Sequence, residues 1–225
     1  MKIFSVLTVT AFAFFANFAR ADMFIGGGFT LVDATAAGSG TAFGNIVVAG
    51  NGGTVTSIDS VTINGFTHTW IGDIFVDFRN VTTATAVTVR LAGPADATAA
   101  NFNGSYTFSV NPALQTIDEA AFGKGELDDI APGPYAIAGY GGGTLNGTRT
   151  DFNSMSNLAI DGTWQLRVID FGQGDTGVIT GWSFNATITA VPEPSSIALL
   201  GSVAIAGGFY GVRRKGRRTT QEGVT

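Results

Sequence analysis

The single histidine, His68, is the only imidazole available to a hydrolytic triad, with a serine and an aspartate such as Asp73 as its partners. No Gly-x-Ser-x-Gly turn presents such a serine, so His68 reads as a structural, hydrogen-bonded residue. The acid pairs Asp128-Asp129 and Asp118-Glu119 have the chemistry of glycoside hydrolysis. Side chains adjacent in sequence diverge on a strand or loop, however, so solvated surface carboxylates are the expectation. The sharpest constellation is Asp170-Phe171-Gly172-Gln173-Gly174-Asp175-Thr176-Gly177. Two carboxylates five positions apart on a glycine-rich hairpin, with free backbone carbonyls, offer the oxygen ligands that calcium prefers, and Asp73 or Asp118 would complete the shell. An Asp/Gly turn also serves a hairpin's own hydrogen bonding. Cysteine is absent, which excludes a thiolate nucleophile, Cys-ligated zinc and disulfides. The expectation is a protein that is not an enzyme, with calcium as the one candidate cofactor.

The elements that must position these residues are strands. Gly is abundant (32 residues), charged residues are sparse (13%), and Thr, Val, Ala and Phe dominate the middle of the chain. Val87, Val89 and Leu91 alternate with Thr88 and Arg90, and Tyr106, Phe108 and Val110 alternate with Thr107 and Ser109. Trp164, Leu166 and Val168, then Trp182, Phe184, Ala186 and Ile188, repeat the pattern, which is that of antiparallel strands with one wet face. Asn51-Gly52-Gly53, Gly93-Pro94, Asn103-Gly104, Pro132-Gly133-Pro134, Gly141-Gly142-Gly143 and Asn146-Gly147 supply the turns. About eight strands and one short helix near Leu114 to Phe122 are expected, with a long loop from Gly123 to Asn157. Between Asp22 and Ala190 there are 15 acidic residues against five basic ones, a net charge of −10. So acidic a domain repels nucleic acid.

Both ends differ from the middle. Lys2, an apolar run from Ile3 to Phe18 and then Ala19-Arg20-Ala21 form the pattern of a secretory signal peptide cleaved after Ala21. Ile197 to Val212 is apolar or small throughout, long enough to just cross a bilayer, and Arg213, Arg214, Lys215, Arg217 and Arg218 follow as a cytoplasmic stop. Before this helix, Val191-Pro192-Glu193-Pro194-Ser195 is extended and exposed, as a processing enzyme requires. These three parts together resemble the PEP-CTERM sorting signal of Gram-negative bacteria. The resemblance implies an exosortase-type membrane protease as partner, cleavage near the Pro-Glu-Pro segment, and delivery to the cell surface or an exopolysaccharide matrix.

Within the middle, Val61-Thr62-Ile63 through His68-Thr69-Trp70-Ile71-Gly72-Asp73-Ile74, followed by Leu91-Ala92-Gly93-Pro94, resembles part of the P (Homo B) domain of subtilisin-like proprotein convertases. Gly162-Thr163-Trp164-Gln165-Leu166-Arg167-Val168-Ile169-Asp170, with Gly174-Asp175-Thr176-Gly177 and Trp182-Ser183, is similar to the closing hairpin of that domain. Phe29 to Asp33 matches its opening strand, with Val32 where the family usually has Pro. The resemblance implies a jelly-roll β-sandwich and, for some members, bound calcium. No protease domain precedes the stretch within these 225 residues.

The organisation expected is therefore a signal peptide at 1–21, an all-β, jelly-roll-like antiparallel sandwich at 22–190, a sorting signal at 191–218 and a cytoplasmic tail at 219–225. The corresponding function is an exported surface or matrix protein with a structural or adhesive sandwich. A carbohydrate-binding surface module is the second reading and a secreted hydrolase the third. Trp70, Trp164 and Trp182 all fit core positions, so sequence locates no aromatic platform for a glycan.

Overall fold

The alternating segments pair into two sheets that bury their apolar faces against each other. The computed structural model describes residues 19–82, 86–93, 99–137 and 151–189. Among these residues ten strands follow in chain order: β1 (Ala19–Thr30), β2 (Gly40–Val48), β3 (Thr54–His68), β4 (Ile74–Asn80), β5 (Val87–Ala92), β6 (Asn101–Ser109), β7 (Asp129–Ile130), β8 (Gly133–Ala136), β9 (Gly162–Asp170) and β10 (Gly177–Thr189). One sheet has the order β1-β10-β3-β6-β7, with the short β8 also on β6, and the other has the order β2-β9-β4-β5. The pairings are antiparallel as expected, except that the short β7 and β8 run parallel to β6. Helix among the described residues is confined to α1 (Ile117–Ala121) and two 3-10 turns. Among the described residues no helix is long and apolar enough to cross a membrane. The expected tail helix, with Val191 to Ser195 and Arg213, Arg214, Lys215, Arg217 and Arg218, lies outside the described residues, as does most of the signal peptide.

Within the strands, the side-chain phase read from sequence is the phase observed. Trp164, Leu166, Val168, Trp182, Phe184 and Ile188 are all buried, and the core they form is largely aromatic. Phe78 on β4 stacks on Trp164 at 5.4 Å and lies 5.2 Å from Phe184 on the opposite sheet. Each such side chain removed from water contributes about 1.5–3 kcal/mol, with a further increment from ring geometry. Trp182 fits because two strands are thinned against it. A Cβ on Gly26 or Gly44 would lie 2.5 and 2.7 Å from its Nε1, so only glycine is accommodated at either place.

Several sequence expectations are corrected. Asn103-Gly104 is not a turn: both residues lie inside β6, and Gly104 is needed because a Cβ there would meet Cγ of Pro132 at 2.3 Å. Val110 falls just past the end of β6 and is exposed. The helix is only five residues long, set by a capping box in which Thr116 and Glu119 satisfy each other's backbone N–H groups. Trp70 is only partly buried, beyond the end of β3. The residues before the expected cleavage point, Ala19 to Ala21, are already part of β1.

Candidate functional site

Two polar constellations stand out from the hydroxyl-rich surface of the sandwich. The first lies where β3 and β9 end and β4 begins. Asp170, the last residue of β9, is buried and accepts from Gly172 N–H at 3.0 Å, while its Oδ2 lies 3.2 Å from Nε2 of His68 at the end of β3. Asp73 closes the 3-10 turn before β4, and its carbonyl accepts from Phe171 N–H. Its carboxylate packs so tightly on Gly172 that a Cβ there would lie 1.9 Å from Oδ2. Asp175 accepts from the Thr69 hydroxyl, and Asp33 accepts from Gly174 N–H through both oxygens.

Burial, reinforced by the charges of Asp175 and Asp170, pushes the Asp73 carboxyl above its ordinary value. Burial likewise raises Asp170, against the lowering influence of the His68 hydrogen bond. The turn thus brings together three of the four aspartates expected from sequence, Asp73, Asp170 and Asp175, and adds Asp33. Asp118 is not brought to them. It stands in the first turn of α1, where a carboxylate is favoured by the helix dipole and the capping box fixes the backbone. Among the described residues no group of three or more metal-ligating side chains is arranged to hold an ion. His68 is buried, with both ring nitrogens engaged by Asp170 and by the backbone of Trp70.

The second constellation was not anticipated. On the outer face of the four-stranded sheet, Asp77 of β4 is fully buried beneath two guanidiniums. Arg90 Nε donates to its Oδ1, and Arg167 donates to its Oδ2 through Nη2 and, at 3.0 Å, through Nε. The register explains the convergence: Asp77 pairs with Arg90 on one side and Arg167 on the other, and Arg167 pairs in turn with Phe43. One rung along, Arg79 donates through Nη1 to Gln165, and Gln165 donates to Asn45. Arg90 also covers the Phe75 ring at 3.8 Å. Burial, and next the charge of Arg167, lower the Arg79 pKa, and its buried Nε has no hydrogen-bond partner among the described residues. The available signal was modest: Arg90 and Arg167 each sit at the polar phase of an alternating run, but only the pairing register shows that they meet.

A family model described as the PEP-CTERM protein-sorting motif matches residues 190–215. The match takes in Val191 to Ser195, the apolar stretch and Arg213, Arg214 and Lys215, while Arg217 and Arg218 lie beyond it. The motif marks an exported, exosortase-targeted protein with a cell-surface or extracellular destination. No P-domain or convertase-like family model matches. No curated protein matches the chain.

Proposed function

We propose that the chain is a surface or exopolysaccharide-matrix protein of a Gram-negative bacterium, whose β-sandwich serves a structural or adhesive role without catalysis. The observation that carries this reading is the sorting motif at 190–215. The fold is compatible with it: Ala19 pairs with Thr189, so the chain enters and leaves the sandwich at one end, while the aspartate turn lies at the other end of β10. The orders β1-β10-β3-β6 and β2-β9-β4-β5, with the chain passing between sheets from β1 to β2, β2 to β3, β3 to β4, β5 to β6, β8 to β9 and β9 to β10, are those expected of a jelly roll, which supports the P-domain likeness at the level of fold. Calcium at the aspartate turn belongs to the same reading. Its support is the proximity of Asp73, Asp170 and Asp175: burial first, and then the charges of Asp175 and Asp170, raise the Asp73 pKa.

Intact-mass analysis of protein recovered from the cell surface tests the sorting step. The expected species lacks every residue past about Ser195, because Pro192-Glu193-Pro194 is the segment a membrane protease can hold extended. Surface molecules that keep Arg213 to Arg218 would overturn it.

The second reading is a carbohydrate-binding surface module. The outer face of the four-stranded sheet favours it, because guanidinium, amide and exposed aromatic groups lie there side by side.

A further inference from the structure

We propose that the outer face of the four-stranded sheet binds an acidic polysaccharide, a chain of carboxylate-bearing sugars, through Arg79, Arg167, Gln165, Asn45 and Phe43. The inference rests on the second reading above and assigns it a surface and a ligand class.

Charge selects the class. The outward positions of β2, β4, β5 and β9 carry three guanidiniums and one carboxylate, whereas the domain as a whole has 15 acidic residues against five basic ones. Three of the five basic residues therefore share one face. Of the other two, Lys124 follows α1 and Arg149 lies outside the described residues. A surface of this sign on so acidic a domain draws anions to one place and repels them elsewhere.

Geometry argues for a built surface. Asp77, buried at the centre, fixes Arg90 and Arg167 by their Nε groups, so the order of the guanidiniums is established before any ligand arrives. Arg79 is the group left wanting. The like charge of Arg167 stands beside it and, after burial, is what lowers its pKa, so an anion on this face would relieve the repulsion. A planar carboxylate matches a guanidinium fork through two parallel hydrogen bonds. Phe43, 45% exposed, pairs with Arg167 and offers a ring to the apolar face of a sugar, and Asn45 and Gln165 offer amides to its hydroxyls on the next rung. These groups spread over three adjacent strands, about 10 Å from β2 to β4, which suits a polymer lying across the sheet.

A second copy of this chain fits less well. Its aspartate turn is already engaged, Asp33 by Gly174, Asp170 by His68 and Asp175 by Thr69, and two domains of net charge −10 repel each other.

The test is electrophoresis of the full-length chain in a non-ionic detergent through gels containing polygalacturonate, dextran or no polymer. The basic tail is common to all variants, so differences among them report the sheet face. Retardation by polygalacturonate is expected to weaken about tenfold in Arg79→Gln, the effect of losing one charge-assisted contact. Phe43→Ala should also weaken it, Lys124→Gln should not, and dextran should retard none of them. Phe43 is exposed, so its variant reports on binding even if Arg79→Gln folds poorly. Equal retardation of wild type and both face variants would overturn the proposal, as would equal retardation by dextran. Concentration-dependent self-association that is lost in Arg79→Gln, while polygalacturonate retardation persists, would assign the face to a second copy instead. Surface location is read separately by protease accessibility on intact cells. A surface-located protein that polygalacturonate does not retard refutes the ligand alone, and a retarded protein absent from the surface refutes the location alone.

Discussion

Nε2 of His68 lies 3.2 Å from Oδ2 of Asp170, and neither side chain retains appreciable contact with solvent. The other ring nitrogen is occupied by the Trp70 backbone, so the imidazole ties the end of β3 to the end of β9. His68→Ala leaves a buried carboxylate without its partner and should cost about 3–5 kcal/mol in urea unfolding. A loss below about 1 kcal/mol would mean that solvent reaches Asp170 freely.

The same turn predicts a pH dependence. Asp73 and Asp170 have folded-state pKa values raised by burial, so between the ordinary carboxylate value and those raised values the native state holds more protons than the unfolded chain. Their contribution to stability is therefore greatest below about pH 3.9 and declines as pH rises through the raised values. Asp73→Asn imitates the protonated form. It should raise the melting temperature at pH 7 by a few degrees, with the gain shrinking toward pH 4. A gain of the same size at both pH values would show that charge is not its cause.

Trp164 fills the centre of the core between Phe78 and Phe184 and donates to the Ile160 carbonyl at 2.8 Å. Trp164→Ala should cost roughly 3–5 kcal/mol, measured by thermal unfolding. An unchanged midpoint would contradict the assigned inner face.

Calcium can be assayed at the turn directly. Millimolar Ca²⁺ should raise the melting temperature by several degrees, since a ligand at a hundred times its Kd contributes about 2.7 kcal/mol, and EDTA should reverse the gain. Mg²⁺ should do less because it gives up its waters reluctantly. Asp175→Asn should remove most of the response. Coincident melting curves in Ca²⁺, Mg²⁺ and EDTA would leave the turn an ordinary hairpin.

The inner face of the sandwich was legible because period-two alternation is a local property: Trp164, Leu166 and Val168 announce their phase without reference to any partner strand. The sorting motif was legible for the same reason, as proline, apolar and basic segments follow one another directly. What could not be read was register. Asp77 is 13 residues from Arg90 and 90 from Arg167, and the three meet only because β4 lies between β5 and β9. Asn103-Gly104 misled in the opposite direction, since a glycine that makes room for Pro132 looks like a glycine that makes a turn. Asp118 was grouped with the turn by its charge alone, whereas its position is set by the cap of α1.

The ladder between β1 and β10 runs to Ala19 opposite Thr189, so its outermost rungs are built from residues on the leader side of the expected cut. Removal of the leader after Ala21 would shorten β1 to Asp22 onward and strip one neighbour from Thr187, Ile188 and Thr189, which would still pair with Ser57, Val55 and Thr54 on the other side. The newly bare backbone would stand immediately upstream of the sorting motif. Maturation at the front of the chain would then leave the last three residues of β10 as an open sheet edge.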